Sequence, residues 1–345
     1  MKKILAVAIA SAFAAPAFAA TANVDVYGRI NTAVSFMMDA EDGNDVQVTN
    51  FGSRLGFKGS EDLGGGLKAI WQIESSINGE EGAGTLAGRN TFIGLSGNWG
   101  TALVGKHDTP LKLVGRKVDL FGDTFADSRN LLGGFSDTRG NNVIAYATPS
   151  LSGFSALIAY TPDLTGSGTG ADEDGDDGSN GSAYNLNVEY GNGPIYLGFA
   201  YGDGDYHDNN GVDEHMRFAG SYKFGDFKIV GQYDYVDVQD YDSYDAWMIG
   251  GSYTMGAMTF KGAYMTGEIE DADSDQWSLG VDYALSKRTT VYALYTNISG
   301  DFAVTSVANG VLDSVALGIG AGASDVVYAD DDEVGAISIG VAHNF

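Results

Sequence analysis

Two basic residues, Arg54 and Lys58, stand four positions apart in a segment that alternates between polar and apolar side chains. Successive side chains of an extended strand point to opposite faces, so both cations share one face, opposite Leu55 and Phe57. Cations on a polar face can bind anions or set an electrostatic field. By themselves they do not indicate catalysis.

Acidic residues recur in a later segment, where Asp119, Asp123 and Asp127 are spaced four residues apart. This spacing predicts three carboxylates along one side of a short helix. Opposed basic and acidic side chains in a water-filled space would create a transverse field that orients dipolar solutes. The alternative interpretation is a solvated loop with incidental charge.

The other chemistry-bearing residues do not support an enzyme. The chain has 4 histidines and no cysteine, and it lacks Gly-x-Ser-x-Gly, His-Glu-x-x-His and P-loop patterns. The acidic stretch 171–178 begins like an EF-hand, but Asp177 replaces the required Gly and Ala183 replaces the bidentate Glu. We therefore expect no metal site and no cofactor, apart from weak divalent-cation binding at acidic outer loops.

The N-terminus has the pattern of a secretory signal peptide. Two lysines precede an apolar run over residues 4–15, and Ala17-Phe18-Ala19 is a typical cleavage site. We expect residues 1–19 to be removed and residues 20–345 to form one folded domain. No later stretch approaches the ~18 consecutive apolar residues of a membrane-spanning helix, so membrane insertion would have to use strands.

Beyond the signal peptide, apolar and polar side chains alternate in segments of roughly ten residues. In the last segment Ile337, Ile339 and Val341 share one face, while small or polar residues share the other. With 50 glycines and 12% aromatic residues, the repeated pattern indicates strands that contact lipid on one face and water on the other. Inward charges such as Arg217 disfavour a packed core, because an unpaired ion is costly to desolvate.

Short turns alternate with long acidic loops between these segments. Seven short turns and eight long loops predict an all-β fold, a sixteen-stranded antiparallel transmembrane β-barrel with the long loops outside the cell. A barrel of ~16 strands is wide enough for an aqueous channel. A soluble β-sandwich or β-solenoid is the alternative fold. The net charge of −27 argues against nucleic acid as a partner.

Several segments in order along the mature chain resemble the general porins of the Gram-negative outer membrane. They are residues 52–74, 89–97, 146–154 and 285–289 and the terminal Phe345. The resemblance implies a homotrimer embedded in outer-membrane lipid and lipopolysaccharide, exported through the periplasm. It also implies passage of ions and small hydrophilic solutes through a pore narrowed by an inward-folded third extracellular loop.

The resemblance further assigns residues to the narrow zone of the pore. It implies that Arg54, Lys58 and Arg89 on the wall oppose the three aspartates of an inward loop over residues 107–140. Relatives often carry a basic residue on the next strand, where this chain has Ala145. Arg139 is the expected substitute.

The terminal Phe345 is expected to act as a signal that the outer-membrane assembly machinery reads in porins. The predicted function is that of a general diffusion porin. The alternative is a solute-specific channel or a surface-binding barrel. Specific sugar channels tend to line the pore with aromatic residues, whereas Trp and Tyr fall mostly on the lipid face here, which favours general diffusion.

Overall fold

The structure is a computed structural model that describes most of the mature chain. The predicted signal peptide, residues 1–19, and the acidic stretch 171–178 lie outside the described residues. Among the residues described, no helix is long and apolar enough to cross a membrane. The described residues are 23–38, 46–78, 84, 86–132, 137–162, 182–204, 212–238, 243–301, 316–317, 327–328 and 333–345.

One antiparallel sheet contains 17 strands, and its first and last strands pair with each other, which closes it into a barrel. Strands β2 and β3 both pair with β1 and form two halves of one barrel strand, so the barrel has sixteen. The sixteen-stranded antiparallel barrel predicted from the sequence is thereby confirmed. The strands of the barrel are β1 (Asn23–Met38), β2 (Val46–Asn50), β3 (Arg54–Gly64), β4 (Leu67–Ser76), β5 (Thr91–Gly97), β6 (Gly100–Asp108), β7 (Arg139–Ala147), β8 (Phe154–Thr161), β9 (Ala183–Asn192), β10 (Ile195–Gly204), β11 (Val212–Phe224), β12 (Phe227–Val238), β13 (Tyr244–Met255), β14 (Met258–Ile269), β15 (Ala272–Ala284), β16 (Thr289–Gly300) and β19 (Glu333–Asn344).

Two short strands pair separately, β17 (Ala316–Leu317) with β18 (Val327–Tyr328). The described helical elements are α1 (Pro110–Gly115) and a single 3-10 turn (Ser128–Asn130). Both lie in the connection between β6 and β7.

The barrel strands expose apolar side chains outward and bury the alternate residues inward. The strand β7 shows this although its sequence is apolar on both faces: Ile144 and Tyr146 are exposed, whereas Val143 and Ala145 are buried. An apolar face toward lipid and a second face toward the lumen is the pattern of transmembrane barrels.

The wall is interrupted between β2 and β3. Gly52 has a φ of 60°, a conformation that glycine adopts without steric cost. The preceding Phe51 is fully buried and packs edge-to-face on Phe125, with ring centroids 4.9 Å apart. The interruption therefore turns an aromatic side chain inward, where it supports the connection that follows β6.

Residues 109–132, the inner segment, pack against the inward face of the barrel. The segment begins at Thr109, whose hydroxyl accepts the backbone N–H of Lys112 at the start of α1 (3.3 Å). Farther along, Asn130 donates to the Gln276 amide oxygen in β15 (3.1 Å), and Tyr244 in β13 donates to the carbonyl of Leu131. Contacts with several strands hold the segment inside the barrel.

The terminal residue closes the ladder between β1 and β19. Phe345 and Gly28 exchange two backbone hydrogen bonds of 3.1 Å. A Cβ on Gly28 would lie 2.4 Å from Cζ of Phe345 and 2.6 Å from the carbonyl oxygen of Arg54. Glycine is needed here because both the terminal ring and a backbone atom occupy that space.

Gly28→Ala should lower the yield of folded barrel, since the methyl group meets a backbone oxygen that cannot move aside. The measurement is the heat-modifiable fraction on gels after refolding. Gly191→Ala is the matched control, because nothing lies within 4 Å of a Cβ there. Equal yields for the two glycine variants would contradict this account of closure.

Deletion of Phe345 should likewise reduce the amount of assembled protein more than the amount of synthesised protein.

Candidate functional site

The inner segment meets the wall at Asp123, whose carboxylate is shared by four arginines. Arg54 in β3 and Arg29 in β1 lie 3.3 Å and 3.7 Å from its Oδ2 atom. Arg116 and Arg129, both in the inner segment, lie 3.3 Å and 3.7 Å from Oδ1. The Asp123 side chain is 5% exposed, so cations rather than bulk water surround this carboxylate.

These arginines determine the ionisation of Asp123. Burial alone would raise the pKa of Asp123, but Arg116, Arg54, Arg29 and Arg129 outweigh it and lower the pKa to about 2. The carboxylate therefore stays charged at neutral and moderately acidic pH.

The backbone of Asp123 adopts an unusual conformation that neighbouring groups hold in place. Its φ is 58°, in the left-handed region that few residues other than glycine, asparagine and aspartate adopt. Its N–H donates to Asp127 Oδ2 (2.8 Å), and its carbonyl accepts from the Asn31 side-chain amide (2.7 Å). Both backbone groups are thus fixed, one by the segment and one by the wall.

The predicted helix with three aspartates on one side is wrong. Helix α1 ends at Gly115, and the left-handed backbone of Asp123 breaks the regular dihedrals that a four-residue repeat needs. Asp119 accepts the backbone N–H of Phe121 (2.8 Å), and Asp127 caps the 3-10 turn. Of the three carboxylates, only that of Asp123 makes ion pairs with wall arginines among the described residues.

The pKa values of the two remaining carboxylates, Asp119 and Asp127, are shifted in opposite directions. Burial and the neighbouring charge of Asp127 raise the pKa of Asp119. Burial opposes ionisation of Asp127, but Arg129 outweighs it and lowers the pKa of Asp127. The ion pair between Asp127 and Arg129 is 2.7 Å long.

Arg89 and Arg139 lie close to this cluster, each with its own acidic partner. Arg89 pairs with Glu74 (2.6 Å), and Arg139 pairs with Asp108 (3.1 Å). Both arginines line a polar cavity together with Asp123. The resemblance placed these two arginines near the acidic segment, and the structure brings them there.

Lys58 occupies a different place. Its side chain is exposed, and its Nζ atom lies 5.2 Å from the ring centre of Tyr27. It lines a separate groove with Asp25 and Gln72. Lys58 shares a strand face with Arg54, as expected from alternation, but the structure shows no ion pair between Lys58 and the aspartates of the inner segment.

The Asp123 cluster lies between two polar cavities. Arg116, Asp123 and Arg129 line both of them, one beside Tyr292 and the other beside Arg139. Their volumes of about 340 Å³ and 210 Å³ each exceed the ~30 Å³ that a water molecule occupies in the liquid. Space for water therefore exists on either side of the charged cluster.

A second polar contact anchors the inner segment to the opposite wall of the barrel, at β11 and β12. Arg217 in β11 is fully buried and forms a bidentate pair with Asp234 (2.8 Å and 2.6 Å). The same guanidinium donates to the carbonyl of Leu111 (2.8 Å) and to Asp137 (2.6 Å). One side chain thus binds the start of the segment and the chain just beyond its end.

Sequence reasoning missed three of the four arginines around Asp123. Arg29 could have been found, because alternation puts it on the face of β1 opposite the exposed Ile30. Arg116 and Arg129 gave no such signal, since they belong to a segment without regular periodicity.

The closed barrel, its apolar outer face and the polar, charge-lined cavities of its interior define a transmembrane channel. Residues 6–303 match the family model described as Gram-negative porin, and the chain belongs to this family. Porins are passive outer-membrane channels and not enzymes, and they need no cofactor. Within the described ranges, no group of three or more histidine or acidic residues could hold a metal ion.

Individual relatives agree with the family assignment. The chain is 30% identical to outer membrane porin protein 32 of Delftia acidovorans over the full length of both proteins. It is 31% identical to major outer membrane protein P.IB of Neisseria gonorrhoeae, over 84% of this chain and 91% of the relative. An anion-selective porin from Comamonas acidovorans has the same fold, with a TM-score of 0.75 and 24% identity over 94% of this chain and all of the other.

The pKa of Asp123 can be measured through the pH dependence of the reversal potential of the channel. We expect the difference in reversal potential between wild type and Asp123→Asn to stay constant from roughly pH 8 to pH 4, because a depressed pKa keeps the carboxylate charged there. The difference should disappear only as the pH falls toward the value of about 2. A collapse near the ordinary aspartate pKa of 3.8 would show that the arginines do not act on this carboxylate.

Proposed function

We propose that the protein is a general diffusion porin in which the inner segment is the third extracellular loop, folded inward as the constriction of the pore. The position of the Asp123 cluster between two polar cavities with room for water carries this proposal. A solute that crosses from one cavity to the other has to pass Arg116, Asp123 and Arg129, which line both.

The charges at this point favour small anions over cations. Arg29, Arg54, Arg116 and Arg129 carry four positive charges, and Asp123 and Asp127 carry two negative charges. The cluster therefore has a net charge of +2. Glu74 balances Arg89, whereas Asp108 is shared by Arg139 and Lys112, so these groups do not reduce the positive charge. The constriction is positive although the chain as a whole is strongly acidic.

The mechanism needs no substrate pocket. Guanidinium groups of the wall and the segment face a carboxylate, so polar solutes and water orient in the local field while bulky apolar solutes find no matching contacts. Size and charge then decide which solutes pass. Arg54 and Arg29 supply the wall charge, and Asp123 supplies the opposing charge of the segment.

A solute-specific channel is less well supported. Such a channel would expose aromatic side chains along the lumen, but the well-exposed strand Trp and Tyr residues of the described chain lie on the outer face. Examples are Tyr222, Trp247 and Trp277.

The outer face supports a homotrimer surrounded by outer-membrane lipid, including lipopolysaccharide. From β7 to β15 it exposes Tyr and Trp, residues that favour the membrane interface. The described side chains that are well exposed on β19 and on β1 to β5 include valine, isoleucine and phenylalanine but no Tyr or Trp. A face without interfacial residues suits contact with neighbouring protein copies, and we assign the subunit contacts to it.

Purified protein in planar bilayers should give large ohmic conductance steps that sugars do not saturate, because the proposed constriction is lined mainly by charged groups and not by a row of exposed aromatic side chains. The measurement is single-channel conductance with increasing concentrations of a panel of sugars. Block by one sugar at micromolar concentration would favour the solute-specific channel instead.

Arg54→Gln should shift the reversal potential across a salt gradient toward cation preference, and the shift should be larger at low salt, where screening is weaker. Lys58→Gln is the matched control, because it removes the same charge from the same strand face without touching the cluster. We expect a much smaller shift for Lys58→Gln. Equal shifts would place the constriction elsewhere along the pore.

A further inference from the structure

Asn31 connects the wall of the barrel to the backbone of Asp123. This asparagine is fully buried on the inward face of β1. Its side-chain amide donates to the carbonyl of Asp123 (2.7 Å). A carbonyl can only accept a hydrogen bond, so the NH₂ group of Asn31 must face Asp123. The amide oxygen of Asn31 is left free to accept a bond from elsewhere.

That bond comes from Tyr292 in β16, whose hydroxyl donates to Asn31 Oδ1 (3.0 Å). The Tyr292 ring lies over Gly340 in β19, where a Cβ would be 2.2 Å from Cζ of the ring. Gly340 therefore leaves the space that lets Tyr292 reach Asn31. A continuous line of contacts runs from β19 through β16 and β1 to Asp123.

The backbone of β1 is also fixed at this point. The N–H of Asn31 donates to the hydroxyl of Ser53 (2.9 Å), in the interruption between β2 and β3. The backbone of Asn31 is thus fixed by Ser53, and its side chain is fixed by Asp123 and Tyr292. Asn31 touches neither a guanidinium nor the carboxylate of Asp123 in these contacts, so any effect on permeating ions has to act through the position of Asp123.

We propose that Asn31 is a positioning residue for ion selectivity: it holds Asp123 in its left-handed conformation, so that one carboxylate faces all four arginines. This inference rests on the proposed constriction and adds the residue that sets its charge balance. Without the hydrogen bond from Asn31, the segment relaxes at Asp123 and its carboxylate no longer neutralises Arg29 and Arg54 together. The pore then becomes more selective for anions.

The test is a double-mutant cycle read out as reversal potential across a potassium chloride gradient. Asn31→Leu keeps the approximate volume of the side chain and removes its three hydrogen bonds, to the carbonyls of Phe51 and Asp123 and from the hydroxyl of Tyr292. Asp123→Asn removes the charge while keeping a residue type that tolerates the left-handed backbone. Tyr292→Phe is a milder variant that removes only the hydroxyl bound to Asn31, and it serves if Asn31→Leu does not fold.

We expect Asp123→Asn to shift the reversal potential toward chloride preference, and Asn31→Leu to shift it in the same direction by a smaller amount. In the Asp123→Asn background, Asn31→Leu should add nothing further, since it acts only through the aspartate charge. Ser35→Ala is the control, because it removes another buried inward hydrogen bond of β1, to Ser338 (2.7 Å), that joins two wall strands. It should leave the reversal potential unchanged.

The outcomes separate this inference from the proposed function. If Asp123→Asn shifts selectivity but neither Asn31→Leu nor Tyr292→Phe does, Asn31 has no positioning role and the constriction stands. If Asn31→Leu shifts selectivity equally in both backgrounds, it acts through general loosening of the wall and the inference is wrong. If Asp123→Asn has no effect, both the inference and the assignment of the constriction fail.

Discussion

The fold depends on one constraint: within a bilayer every backbone N–H and C=O group must find its partner inside the protein. A sheet meets this requirement only when its edges pair, as β1 and β19 do. Closure at sixteen strands encloses a space too wide for wall side chains alone to fill. The lumen must therefore hold water, polar groups or a folded-in part of the chain, and here polar cavities flank an inner segment.

The inner segment packs apolar side chains such as Phe125 and Leu131 against the barrel wall, and polar anchors add to this contact. Arg217 and Asp123 are two of these anchors. Arg217 combines ion pairs with a hydrogen bond that it donates to the carbonyl of Leu111, and Asp123 combines ion pairs with a hydrogen bond that its own carbonyl accepts from Asn31. Such pairs overcome the cost of burial only when every group is well matched. The bidentate geometry between Arg217 and Asp234 meets that condition, while the four arginines at Asp123 leave positive charge in excess.

The sequence predicted the barrel because alternation with a period of two is a local property repeated in every strand. It also placed Arg54 correctly, since a strand face follows from parity alone. The spacing of Asp119, Asp123 and Asp127 misled because two of these carboxylates satisfy nearby backbone N–H groups instead of lining a helix. The convergence of Arg29, Arg116 and Arg129 on one carboxylate arises only when the barrel closes around the segment, so no local pattern contains it.

The net charge of −27 and the positive charge of the proposed constriction are compatible because water separates charges in different parts of a wide pore. Salt screens exposed charges over a Debye length of ~8 Å, so distant carboxylates contribute little to the field around Asp123. Charges that line the cavities directly act at shorter range and with less screening. In the proposed constriction, the balance between Asp123 and its arginines therefore governs permeation, and the proposed role of Asn31 extends this control to a group that fixes the geometry of Asp123 without touching the ions.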